Sequence, residues 1–371
     1  MYLQENSMKN DSSNSRLEIV AFFVCVLTIS VMLLVFGSGR ISYAAASVVF
    51  YAGNVKNAES ESVTPDTSET QIAEKPSADG QKIDITQTPS DIEKLIEHYK
   101  IAFADDKRDG DIQSSTYINK GATHIYGNVR VKNTTETKTL NIEKVLAEGL
   151  ELKIDKSKPA VLIFHSHTSE GYEMIERDWY AEGYTARSND ENLNVVRVGT
   201  EITNYLESMG YTVIHDKTIH DDNYSDSYPN SRKTVAKHLE EHPEIQIVID
   251  IHRDSITLND GTKIKPVNTI NGKQAAQLMI ITGAQEGKVE DFPDWEYNLR
   301  FALQLQQECE TLYPGLMRPV LFSQRKYNMD MTRFSLLIEM GSEANTLEEA
   351  CYSGRMLAAA LGSLMDRYVV E

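Results

Sequence analysis

Cysteine is scarce in this sequence: there are three in 371 residues, Cys25, Cys309 and Cys351, and none falls into a Cys-x-x-Cys spacing. A disulfide framework and a cysteine zinc site are thereby excluded, leaving only a Cys309–Cys351 pair open if both lie outside the cell. Positive charge is also in short supply. Lysine and arginine number 37 against 55 aspartates and glutamates, for a net charge of −18, and no local basic stripe offsets it. A surface that acidic repels phosphate backbones and argues against nucleic acid as a partner. No internal repeat is visible. Hydrophobic residues make up 41% and charged residues 25%, values that exclude a wholly disordered chain and a multi-span membrane protein. The length suits about two domains plus extensions.

What is present falls into blocks. Residues 1–18 read as a cytoplasmic tail. Ile19 to Phe36 carries no charge and is long enough to span a bilayer. Lys9 and Arg16 precede it and Arg40 follows, a weak bias that puts the amino terminus inside and the bulk of the chain outside the cell membrane. Its length favours a single-pass anchor. Ala44, Ala45 and Ala46 supply the small residues of the competing reading, a cleaved signal peptide. Residues 37–89 are rich in Ser, Thr, Glu, Asp and Gln and include Pro65, Pro76 and Pro89, which reads as a flexible linker. About forty such residues reach roughly 35 Å.

Order resumes at Ser90, where Ser-Asp-Ile-Glu suggests a capping box and Ile92, Leu95, Ile96 and Tyr99 follow at helical spacing. A short strand with Ile125, Val129 and Val131 on one face and a helix over Asn141 to Leu150 complete a small α+β segment, 90–155. From 156 to 371 short apolar runs alternate with amphipathic helices. Strands are expected at Ala160–Phe164, Tyr211–His215, Ile245–Ile251, Gln277–Thr282 and Phe334–Ile338. Helices are expected near Asn194–Met209, Ser231–Glu241, Trp295–Leu312 and Thr346–Tyr368. Asn271-Gly272 marks a hairpin turn. This alternation predicts an α/β fold, a mostly parallel or mixed sheet with helices on both faces.

In such sheets ligands collect beyond the carboxyl ends of the strands. Three expected strands end in His165-Ser166-His167, in His252-Arg253-Asp254 and in Glu339-Met340-Gly341, so imidazole, imidazole and carboxylate converge on one rim. A catalytic zinc needs three protein ligands from His and carboxylate, with one position left open. His165 or His167 and the distant His252 are the imidazole candidates, either of the first two being able to ligate. Asp190, just ahead of the helix at Asn194, is the preferred carboxylate, with Glu170 as the fallback. Glu339 leaves an apolar strand, where low dielectric raises a carboxyl pKa, and so suits a general base that takes a proton from water and hands it to a leaving amine. His98, His124, His215, His220, His238 and His242 are assigned to structural roles. The segments Thr257–Gln285 and Gly315–Thr332 are expected to wall the substrate groove.

The stretches VLIFHSHTSEGY (Val161–Tyr172), NVVRVG (Asn194–Gly199), IDIHRDS (Ile249–Ser255) and LLIEMGSEANTLEEA (Leu336–Ala350) together resemble the stage II sporulation protein P family. The upstream VKNTT (Val131–Thr135) and the pair Tyr327-Asn328 fit as well. The resemblance implies a phosphorylase/hydrolase-like amidase fold and a zinc-dependent N-acetylmuramoyl-L-alanine amidase, with a further endopeptidase activity on cross-linked stems. It implies peptidoglycan as substrate and work during forespore engulfment at the mother-cell membrane, facing the intermembrane space, beside sporulation proteins D and M. By the same resemblance the ligand His falls on His167, with His165 adjacent, the strand-terminal His on His252, and the catalytic Glu with its following Gly and Asn on Glu339, Gly341 and Asn345. The helix-start acid falls on Asp190. The competing readings are a metallo-carboxypeptidase or deacetylase of the wall and a wall-binding scaffold with an inactive site.

Overall fold

The computed structural model describes residues 83–370. The expected tail, membrane span and most of the linker lie outside the described residues. Among the described residues no helix is long and apolar enough to cross a membrane.

In chain order the elements are α1 (Ser90–Ala102), β1 (Arg108–Ser115), β2 (His124–Tyr126), β3 (Val129–Asn133), α2 (Ile142–Ala147), β4 (Pro159–Phe164), β5 (Trp179–Ala181) and α3 (Val195–Ser208). There follow β6 (Thr212–His215), α4 (Ser227–Glu241), β7 (Ile247–Asp254), β8 (Lys263–Ile270), β9 (Lys273–Ala276) and β10 (Leu278–Gly283). The last are α5 (Trp295–Leu312), β11 (Val320–Ser323), β12 (Phe334–Ser342) and α6 (Leu347–Asp366).

Eight strands form one mixed sheet in the order β2-β3-β11-β10-β12-β7-β4-β6. Its centre is parallel, with β12, β7, β4 and β6 all running the same way. β12, β7 and β4 are apolar runs of the sequence whose side chains are buried on both faces, as central parallel strands require. Successive residues alternate between the faces. Val161, Ile163, Ile247, Ile249 and Ile251 join α3, α5 and α6 in the main core, whereas Leu162, Phe164 and Val248 pack with Val235 of α4 on the other side. The expected α/β layering is therefore present, with three helices on one face and α4 on the other.

Four expectations are corrected. The segment 90–155 is not a unit of its own: β3 adds to the main sheet beside β11, and β1 joins a second sheet, β5-β1-β8-β9. Ile125, Val129 and Val131 do not share a strand face, because residues 124–133 are an antiparallel hairpin. Val129 and Val131 are buried, but Ile125 is 58% exposed. Helix α1 takes no side-chain cap, since Pro89 occupies the N-cap with ψ 142° and Ser90 is already helical. A capping box does form at α6, between Thr346 and Glu349. Cys309 and Cys351 are both buried and free. The hairpin turn is as expected, with Ile270 opposite Lys273 and positive φ at Asn271 (50°) and Gly272 (79°).

Helices α3 and α6 are joined by a buried ionic cluster. Arg355, 2% exposed, lies 2.7 Å from Glu201, which also pairs with Arg197 at 2.9 Å. Removing one member of a buried pair leaves its partner charged and unsolvated. Arg355→Ala is expected to lower the unfolding free energy by about 3–5 kcal/mol, read as a shift in the urea midpoint at unchanged slope.

Candidate functional site

The rim expected from the sequence exists, and its construction starts at Asp250. This residue lies on β7 two positions before His252, so the two share a face. Its buried carboxylate accepts the Ser166 backbone N–H at 2.8 Å and the Ser166 hydroxyl at 2.6 Å, and Ser166 Oγ lies 2.7 Å from Ser231 Oγ on α4. The turn after β4 is thereby pinned to β7. It delivers His167 above the sheet, with its ring centroid 5.3 Å from that of His252 at 85°.

His165 does not reach the site. Its side chain points to the opposite face, Nδ1 bonded to Ile251 O at 3.0 Å and Nε2 to His215 Nε2 at 2.9 Å. Gly199 of α3 makes room for that pair: a Cβ there would come within 2.6 Å of the His215 ring and 2.9 Å of the His165 ring. Burial pushes His165 down to about 4, so it is a neutral packing histidine. His220 Nδ1 donates to His165 O at 2.8 Å, leaving Nε2 to accept from the Thr234 hydroxyl at 2.9 Å, and His238 lies 2.9 Å from Asp216. The structural roles assigned to His215, His220 and His238 match these contacts.

Asp190 is likewise removed from the site. It is exposed, and its carboxylate accepts from the Asn192 backbone and side chain, each at 2.9 Å, in a local turn before α3. Cap duty at α3 falls to Asn194, which accepts from Val196 N–H. Glu170, the fallback carboxylate, is the acid that reaches the cavity floor. It is buried, its Oε2 lies 3.3 Å from His252 Nδ1 and accepts the Arg253 N–H at 3.1 Å. Burial works to raise its pKa, but the contact with His252 and the charges of His252 and Arg253 outweigh this and hold it at about 2.

Glu339 stands in register with His252 on the neighbouring strand. Gly341 (φ 80°) lets β12 bulge immediately beyond it, a conformation closed to a side chain because a Cβ would meet Asn345 Oδ1 at 2.5 Å. Glu339 Oε2 is buried without a hydrogen-bond partner. Burial pushes this carboxyl up to about 8; His252 and Arg318 oppose the rise, and the charges of Asp254 and Glu170 reinforce it. The two carboxylates of the site thus sit on opposite sides of neutrality, the usual mark of an ionised group beside a proton carrier.

These groups floor a cavity of about 660 Å³. Its walls include Met279, Ile281, Leu321 and Tyr327 from the segments expected to line a groove, and residues the sequence did not point to: Tyr184–Arg187, Tyr224 and Tyr228. Tyr224 stacks on His167 at 4.4 Å and Tyr228 on Tyr327 at 5.0 Å. Asn328 donates to Tyr228 O and Ser231 Oγ at 3.0 and 3.1 Å, holding Tyr327 and Asn328 at φ 42° and 59°, the kind of backbone strain that gathers at functional sites. The four-residue interval between Tyr224 and Tyr228 was the available signal for this shelf, since it places both rings on one side of a helical turn.

Among the described residues no three His, Cys, Asp or Glu side chains are gathered in a geometry that could hold a metal ion. His252 engages Glu170 through Nδ1 and sets Nε2 2.8 Å from Asp250 Oδ1, without hydrogen-bond alignment. His167 Nδ1 is buried and unpartnered. His167, His252 and the ionised Glu170 on one cavity floor are the residue types zinc sites use; Asp250 and Glu170 hold His252 protonated in their company, and a metal would take the place of that proton.

The family model described as stage II sporulation protein P matches residues 44–362. The chain belongs to the stage II sporulation protein P family. A curated member, stage II sporulation protein P of Bacillus subtilis (strain 168), is 32% identical over 205 residues, 52% of this chain and 47% of that protein. The chain thus spans about half the length of the curated relative it matches. Solved structures similar to this family member include the N-acetylmuramoyl-L-alanine amidase AmiC2 of Nostoc punctiforme, at 12% identity and a TM-score of 0.33, covering 57% of this chain and 96% of that one. Another is the CwlD amidase of Clostridioides difficile in complex with the GerS lipoprotein, at 14% identity and a TM-score of 0.35, covering 56% and 98%.

The raised Glu339 carboxyl makes a signed prediction. Between the ordinary 4.5 and about 8 the folded protein holds more protons than the unfolded one, so Glu339 makes stability fall as pH rises through that window. In chelator-treated protein, Glu339→Gln is expected to raise the melting temperature at pH 8–9, the gain shrinking toward zero near pH 5. Thermal melts across pH check this.

Proposed function

We propose that this family member is a zinc-dependent N-acetylmuramoyl-L-alanine amidase, held at the membrane through residues 19–36, that releases stem peptides from glycan strands during engulfment, with an endopeptidase activity on cross-linked stems. The observation that supports the reading is the meeting of His167, Glu170, His252 and Glu339 at the ends of three strands on one cavity floor. Family membership alone supports the sporulation setting, the mother-cell membrane and the companionship of sporulation proteins D and M.

In this reading His167, Glu170 and His252 would hold the zinc, which when bound supplies Lewis acidity toward the scissile carbonyl and toward water. Glu170, kept ionised by His252 and Arg253, contributes fixed negative charge. Glu339 moves the proton: its carboxylate accepts one from the attacking water and returns it to the leaving amine, a task suited to a carboxyl shifted toward neutral pH. Asp250 fixes the turn that carries His167. Arg187, steadied by buried Asp221 at 3.2 Å and lying 5.3 Å from the Tyr224 ring, presents a positive edge to substrate across the cavity.

Purified peptidoglycan digested by the full chain, with products read by mass, should yield free stem peptides, and a chelator should stop their release. His252→Ala is expected to lose zinc and turnover together. Glu339→Gln should keep zinc and lose turnover by about a hundredfold or more, and Asp190→Ala should keep both. Release of terminal amino acids in place of whole stems would instead indicate a carboxypeptidase, and equal zinc loss in His252→Ala and Glu339→Gln would sink the division of roles.

A further inference from the structure

One end of the cavity carries charge that the amide chemistry does not use. Glu343 follows directly on β12, and its backbone N–H donates to Asp254 O at 3.0 Å. Ser255 Oγ donates to Glu343 Oε1 at 3.0 Å, but Oε2 is buried with no partner, and the residue is only 6% exposed while lining the cavity. An unpartnered buried carboxylate oxygen is costly and calls for a ligand. The neighbouring acid, Asp254, is already taken, with Arg318 2.9 Å away.

The same stretch of wall carries Lys263, the first residue of β8. It is half-buried, and among the described residues no carboxylate lies within ion-pair distance of it; its ammonium sits 4.2 Å from the centre of the Tyr180 ring. Glu343 and Lys263 therefore share a cavity without closing on each other. An acid and a base held apart in this way match a ligand that brings both charges of opposite sense.

Position narrows the ligand further. Glu343 lies four residues beyond Glu339 along the same chain, with the Gly341 bulge between them, so at about 3.3 Å per extended residue it stands at most roughly 13 Å from the reacting centre. That span suits a side chain on a residue two places past the scissile amide.

We propose that Glu343 and Lys263 form a subsite for the zwitterionic end of a diamino-diacid side chain in the stem peptide, Glu343 accepting from its ammonium and Lys263 donating to its carboxylate. This rests on the reading of the cavity as a stem-peptide amidase site. It assigns the peptide to the β8 end of the cavity.

The test is calorimetric binding of three free peptides to the full chain: L-Ala-D-Glu-diaminopimelate, the same peptide with its side-chain amine acetylated, and the same peptide with its side-chain carboxyl amidated. The parent should bind the zwitterion about tenfold or more tightly than either blocked form, as charge-assisted hydrogen bonds require. Glu343→Gln should erase the discrimination against the acetylated peptide. Lys263→Met should erase only the discrimination against the amidated one. Equal binding of all three by the parent, no binding of any, or variants that weaken all three alike would overturn the subsite. A chain that cleaves wall yet does not discriminate keeps the amidase reading and loses the subsite; one that discriminates as described without cleaving wall does the reverse.

Discussion

The buried carboxylate of Asp250 is the constraint on which the site depends. A charge in that position must be satisfied by hydrogen bonds, and it draws them from the backbone and side chain of Ser166, across from β7 to the turn after β4. Those bonds decide where the chain goes next. They place His167 on the cavity side, leave His165 turned toward α3, and bring the rings of His167 and His252 within 5.3 Å. The same residue approaches His252 Nε2 at 2.8 Å, so one carboxylate governs both imidazoles of the proposed donor set.

Around that pair the protein keeps two carboxylates in different protonation states by environment alone. Glu170 is surrounded by His252 and Arg253 and stays ionised. Glu339 has no hydrogen-bond partner for Oε2 and faces other acids, so burial dominates and its carboxyl rises to about 8. The difference arises from adjacent strands of one sheet and needs no movement of the fold. It separates a group fit to hold a cation from a group fit to carry a proton.

Much of this was legible in the sequence where burial writes a pattern. The runs that became β4, β7 and β12 are apolar on both faces, and the polar residues that end them mark the rim, so His167, His252 and Glu339 could be named from strand ends. The second sheet was not legible, because β1 (RDGDIQSS) buries only Ile112 and carries no period-2 alternation. Asp190 was favoured because it stands just before the helix at Asn194, from where it could point back toward the rim; in the structure its carboxylate is satisfied by its own turn instead. The carboxylate that does reach His252 is Glu170, and its deciding contacts, to His252 and to Arg253 N–H, join residues more than eighty positions apart. Such contacts leave no local trace. The Tyr224 and Tyr228 shelf lies in a polar stretch that reads as loop until the turn brings both rings over the histidines.

The zinc site proposed for this chain would draw its ligands from His167, Glu170 and His252, and not from Asp190 or His165. Diffraction from crystals grown with zinc, measured on both sides of the zinc absorption edge, tests it most directly. One strong anomalous peak is expected within coordination distance of His167, His252 and Glu170, with Glu339 beside it. A peak on Asp190 or His165, or none on the cavity floor at full zinc loading, would contradict it.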